Sequence, residues 1–279
     1  MTIIGTVESL WRYPVKSMGG MEEPEVFVGF AGVYGDRRYA FRSSAARKGF
    51  PYLNANVQQE MLLYLPQYRD RERAAKPSNL VEAEIIAPGA NPANGDEEDM
   101  ALDVILPTCE VVAVEDPVLI ERLREGLSED TELRLVRSDR ALTDCRPVSL
   151  ISLQTIAQIE SELGMAMDKR RFRANIYFDF GSGGGGGSAS GFGAGSGFGS
   201  GFGEDDFVGR RMRLGSKATV MVLERDPRCK MISLDPDTGE HNPEVLRRVA
   251  QEHDACAGVY CAVLVEGLVK KGDPIELLE

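Results

Sequence analysis

Short apolar runs broken by glycine limit what this chain can fold into more than any other feature. In its first quarter the runs 3–10, 25–29 and 38–42 are separated by Gly19-Gly20, Gly32 and Gly35. Runs so brief, bounded by turn formers, read as strands, and their spacing suggests a small β-barrel or sandwich. Further strand candidates follow at 61–65, 82–87 and 110–114. The stretch 88–99, rich in Pro, Asn, Gly and acid, reads as a surface loop.

Pro117 then stands at a plausible first helical position, and Val118, Leu119, Leu123 and Leu127 place an apolar stripe on the helix behind it. This helix marks the entrance to a second domain, so the expected division is 1–116 and 117–279. Residues 148–152 read as a buried strand running into a helix over 153–163, with Ile156, Ile159 and Leu163 on one face. Strands at 176–180, 212–215 and 218–223 come next. A helix over 243–253 carries Val245, Leu246 and Val249 on one side, and strands 259–265 and 274–278 flank a turn-rich 267–273. The expected fold class is β-rich α+β: an N-terminal small β-barrel domain, then a second β-barrel domain with peripheral helices. Residues 181–203 interrupt this pattern with Gly, Ser, Ala and three Phe. Such a composition cannot bury enough apolar surface to offset its ordering entropy, which predicts a flexible insertion. No GK[ST] follows its glycines, so it is not a phosphate loop.

With 279 residues, 43% of them hydrophobic, the chain has material for a real core. No apolar run approaches the ~20 residues of a membrane span, and the start lacks the layout of a signal peptide, so a cytoplasmic protein with no membrane partner is expected. A net charge of −12 and a pI near 4.9 argue against nucleic acid as a partner, because that binding rests on a basic face. Against such an acidic background, local gatherings of Arg and Lys are suited to one small anion.

Four gatherings stand out. Tyr13-Pro14-Val15-Lys16-Ser17 ends the first strand with a rigid Pro, a cation and a hydroxyl. Gly35-Asp36-Arg37-Arg38-Tyr39 sets Arg37 at a turn-to-strand junction, where a guanidinium can grip an anion with two parallel bonds. In Arg170-Arg171-Phe172-Arg173-Ala174-Asn175 a dense positive run meets a strand start, and Asn175 adds both donor and acceptor. Thr143-Asp144-Cys145-Arg146-Pro147 puts a carboxylate just before the buried strand at Val148. The five cysteines (Cys109, Cys145, Cys229, Cys256, Cys261) contain no CxxC pair, so neither a disulfide framework nor a zinc knuckle is indicated. Cys229 differs from the others in sitting between Arg228 and Lys230, just after a strand. Cations there favour a thiolate, which is both a nucleophile and a soft metal ligand.

Taken in order, Tyr13-Pro14-Val15-Lys16-Ser17, Asp36-Arg37, Arg171-Phe172-Arg173-Ala174-Asn175, Arg228-Cys229, Asp235-Pro236-Asp237-Thr238-Gly239, Gly258-Val259-Tyr260 and Gly272-Asp273 resemble a MOSC protein with its amino-terminal barrel domain. Within that family the chain is most similar to the mitochondrial amidoxime-reducing component and to bacterial reductases of N-hydroxylated bases. The resemblance implies a molybdenum cofactor, a molybdopterin whose dithiolene holds the metal and whose phosphate needs cations. It implies that Cys229 ligates molybdenum, that Asp144 stands near the metal as a catalytic acidic residue, and that Lys16, Ser17, Arg37, Arg173 and Asn175 hold the pterin and its phosphate. The implied activity is an oxidoreductase that removes oxygen from an N-hydroxylated or related small-molecule substrate. Electrons would come from a separate donor protein of ferredoxin, cytochrome b5 or flavin type. The alternative is a cofactor-binding or sulfur-carrier module using a Cys229 persulfide. No segment resembles the fused pyridoxal-phosphate domain of cofactor sulfurases, so no pyridoxal phosphate is expected. Pro227 occupies a place where the amidoxime reducers carry a small hydroxyl residue.

Overall fold

The computed structural model describes residues 2–81, 98–181 and 201–279. The chain starts with β1 (Thr2–Arg12), β2 (Met21–Glu23), β3 (Glu25–Gly29), β4 (Gly32–Val33) and β5 (Tyr39–Ser43), followed by β6 (Leu65–Tyr68), β7 (Leu102–Ile105) and β8 (Val111–Ala113). Helix α1 (Pro117–Arg124) leads to β9 (Leu133–Arg137), β10 (Val148–Ser152), α2 (Leu153–Leu163), β11 (Ile176–Asp179), β12 (Arg211–Leu214) and β13 (Ala218–Pro227). After α3 (Pro243–Glu252) come β14 (Cys256–Val265), β15 (Gly267–Lys270) and β16 (Pro274–Leu278).

Seven of these strands close into a barrel in the order β11-β10-β14-β13-β12-β16-β1, with β1 returning to β11 and β2 attached outside β1. Closure leaves no unpaired sheet edge among those seven. The inward residues form one apolar cluster that includes Val7, Leu10, Leu150, Phe178, Met212, Val220, Val222, Val259 and Ile275. β1 makes the closure possible. Its first residues pair with β16 and its middle with β11, with a register shift in each pairing. Such bulges bend a strand enough to serve two neighbours.

The rest of the first half builds three small sheets, β15-β3-β4, β5-β9 and β6-β7-β8. They surround a second cluster around Phe41, Met61, Tyr64, Met100, Val104, Leu119 and Leu123. Pairing crosses the 116/117 boundary four times, through β1 on β11 and on β16, through β15 on β3 and through β9 on β5. The helices are peripheral and begin where capping chemistry places them. Asp116, Ser152 and Asn242 each accept a backbone N–H from the first turn, and Pro117 and Pro243 occupy its start.

Two readings from sequence change. Residues 61–65 are not a strand: a 3-10 turn spans Gln59–Leu63 and buries the neighbours Met61 and Leu62, which the two-sided alternation of a strand does not do. Within 267–273, read as turn, Gly267–Lys270 is a strand, because β3 offers it a partner edge. The strand expected at 82–87, most of the loop at 88–99 and most of the insertion at 181–203 lie outside the described residues. No helix among the described residues is long and apolar enough to cross a membrane.

Candidate active site

The end of β13 and the loops beside it bring five of the seven predicted residues together. Cys229, Asp144, Arg37, Arg173 and Asn175 line one cavity of about 90 Å³, along with Arg171, Asp226, Arg228 and Tyr260. The Cys229 thiol is exposed there, on the residue that precedes a 3-10 turn at Lys230–Ser233. Its flanking cations, however, do not turn toward it. Arg228 spends its guanidinium on the carbonyls of Ala257 and Phe172 and on Asp226, and the Lys230 amine reaches the carbonyl of Asn56. Gly258 (φ 79°) allows that crossing, since a Cβ there would stand 2.6 Å from the Leu150 oxygen and 3.1 Å from Arg228 Nη2. The cations on the cavity come from elsewhere in the chain.

Arg37 and Arg173 both stack on one buried ring, their guanidinium carbons 5.0 and 4.3 Å from the centroid of Tyr13. Asp36 pairs with Arg37 and also accepts the backbone N–H of Tyr13. Despite burial, Asp36 holds the Arg37 guanidinium above its ordinary range. Arg173 donates to the Met18 carbonyl at 2.6 Å, but its Nη2 is buried with no partner, and so are Nε and Nη1 of Arg171. Burial pulls Arg173 down to about 10, with the positive charge of Arg37 adding to the effect. An anion on the cavity would relieve both the missing partners and the repulsion.

Ser17, Arg37 and Arg173 all have positive φ, at 67°, 44° and 51°. Left-handed backbone is costly for residues with a side chain, and it persists where surrounding structure holds it for a purpose. Lys16 and Ser17 do not line the cavity; Lys16 reaches its edge, its amine bonding Asp144 at 2.6 Å and the Leu142 carbonyl at 2.8 Å. Burial pulls the Lys16 ammonium below its ordinary value, with Asp144 opposing. Asp144 is thus tied to the nearest cation while more than half of its side chain remains in solvent. Asn175 uses its amide structurally, accepting from Ser149 and donating to the Trp11 carbonyl, which locks β1, β10 and the entry to β11 together.

The residue that sequence reasoning passed over is Asp226. It is 1% exposed, and burial pushes its carboxyl up to about 6, against the pull of Arg228. One signal pointed to it: an acid at the inward-facing end of a strand, three residues before the candidate ligand. Tyr260, on β14, completes the same wall, its phenol pushed upward by burial. A larger cavity, about 580 Å³, lies behind the loop that carries Asp144 and shares Thr143 with the smaller one. None of the seven predicted residues lines it. No group of three or more His, Cys, Asp and Glu side chains is arranged for a metal ion among the described residues.

The family model for the MOSC domain matches residues 137–276. Among solved structures the chain is similar to the YUAD protein from Bacillus subtilis, at 13% identity over 98% of this chain and 94% of that one, with a TM-score of 0.44. It is similar to YiiM from Geobacillus stearothermophilus at 18% identity over 48% of this chain, with a TM-score of 0.34. The match to YiiM from Escherichia coli is at 15% identity over 48%, with a TM-score of 0.31. The chain spans 55% of the length of each YiiM chain. No curated protein matches it.

Proposed function

The chain belongs to the MOSC domain family, and from that premise we propose that it is a molybdenum-cofactor-dependent oxidoreductase that reduces N-hydroxylated or related N-oxygenated small molecules. One observation carries the reading: Cys229, whose thiol is exposed, lines one cavity with Arg171 and Arg173, residues whose guanidinium groups carry buried nitrogens without a partner. A soft ligand and waiting anion donors are the two kinds of group that a metal held by an anionic pterin needs. The residues therefore fit the cofactor, although about 90 Å³ takes only one end of it. When bound, a molybdenum–pterin cofactor supplies two-electron exchange coupled to oxygen transfer. Cys229 would hold the metal, while Arg37, Arg171 and Arg173, with Lys16 and Ser17 beside them, would hold the anionic part. Asp144 and Asp226 lie on the same cavity as groups able to orient substrate or carry protons. The electron donor is a separate protein of ferredoxin, cytochrome b5 or flavin type.

Cys229→Ser tests the reading in protein purified from cells able to make molybdopterin. The variant should melt within a few degrees of the parent, because the thiol is exposed, yet lose bound molybdenum and all reduction of an amidoxime by a reduced dye. Full activity in C229S ends the proposal. The exposure of the thiol also suits a sulfur carrier, which would show no turnover but a cyanide-labile sulfur on Cys229.

A further inference from the structure

Asp226 is the buried acid of the candidate site. Its side chain points inward from the end of β13, where one oxygen meets Arg228 Nη2 at 2.9 Å and Oδ1 is buried with no partner. A carboxylate so placed has lost water without regaining a full set of donors, which favours the protonated form. The charged and titratable groups facing it are Arg228 from its own segment, Tyr260 and Cys256 from β14, Arg37 from the turn before β5, and Asp144 and Cys145 from the loop before β10. Burial outweighs Arg228, a hydrogen bond with Tyr260 and the more distant Arg37, and Asp144 adds to it, so the carboxyl sits near 6. Asp144 is the opposite case, half in solvent and bonded to a lysine. A group that keeps a proton close to neutrality suits acid catalysis; one neutralised by a lysine suits positioning.

We propose that Asp226, rather than Asp144, is the proton donor of this site. The assignment rests on the reduction reading above. For a substrate with an N–OH group, the Asp226 O–H bond breaks and its proton goes to the departing oxygen as the N–O bond breaks. Two electrons arrive from the donor protein, and a second proton comes from solvent. The products are the reduced nitrogen compound and water, and solvent reprotonates the Asp226 carboxylate.

The test uses holoprotein with benzamidoxime and reduced methyl viologen from pH 5 to 8.5, alongside Asp226→Asn, Asp226→Glu and Asp144→Asn. Wild-type kcat should fall as pH rises above about 6, and D226N should lower kcat at pH 6 by about 100-fold and flatten the profile. D226N should keep its molybdenum, D226E should recover part of the pH-dependent limb, and D144N should retain the limb. Independently of turnover, ¹³C NMR of the aspartate-labelled chain without cofactor should contain a carboxyl titrating near 6 that is missing from D226N. Wild-type turnover combined with an unaltered D226N profile, or the absence of that carboxyl, overturns the assignment of Asp226 alone. A molybdenum-loaded wild type that reduces no N-oxygenated compound overturns the reduction reading itself.

Discussion

At the scale of single residues, the candidate site is built from groups that the fold leaves short of partners. Arg171 and Arg173 keep buried nitrogens unbonded, and Asp226 keeps one oxygen unbonded, all on residues that line the same cavity. Buried polar atoms without partners are rare because each costs about 1–3 kcal/mol, so their convergence on one wall marks a place that a ligand completes. The Asp226 carboxyl also makes stability depend on pH. Its folded value, about 6, lies above the ordinary 3.8, so the folded state binds the proton more tightly than the unfolded chain does. This contribution is fully present below about pH 4 and lost as pH rises through about 6, on the order of 3 kcal/mol in all. Asp226→Asn should therefore raise the melting temperature at pH 7.5 and leave it nearly unchanged at pH 4. Equal melting at both pH values for the two proteins would contradict it. Most of the site residues could be singled out from sequence, because Pro14-Val15-Lys16-Ser17 and Arg171-Phe172-Arg173 concentrate charge beside turns. The status of each group could not, because pairing of Lys16 with Asp144 and of Arg228 with the Ala257 carbonyl joins residues far apart in the chain.

At the scale of elements, β1 matters most, since a single strand seals the barrel on both sides. The seam with β11 is tight at Gly5, where a Cβ would collide with the Asp179 carbonyl. Gly5→Ala should cost about 1–3 kcal/mol by forcing the seam apart. A thermal melt measures it, and an unchanged transition would mean that the seam yields freely. The strands at β3, β10 and β16 and the helix α2 have the boundaries read from sequence, because local alternation, caps and flanking glycines agree with the tertiary environment there. β7 and β9 were passed over, and β15 was taken for a turn. Each is only four or five residues long and owes its form to a neighbour: β6 and β8, β5, and β3 respectively. Propensity within so few residues is weaker than a partner edge.

At the scale of the whole molecule, the two halves share strands as well as a site. Residues 117–279 expressed alone would lack β1, and with it the inward side chains Val7 and Leu10 and the bonds that close the barrel. That fragment should show no cooperative unfolding transition, whereas appending residues 2–12 through a flexible linker should restore one. A sharp transition in the bare fragment would make the second half an independent folding unit. The site depends on the same crossing, because Arg37 comes from before residue 116 and Cys229, Asp144 and Arg173 from after it. What the order of residues determined by itself was a β-rich chain with peripheral helices and a set of cationic motifs around one distinctive cysteine, since alternation, capping and turn chemistry act over a few neighbours. Only the tertiary structure decided that β1 joins the barrel of the second half, that Lys16 is spent on Asp144, and that the buried acid of the cavity is Asp226. Those outcomes depend on burial and on partners far away in the chain, which no local stretch of sequence contains.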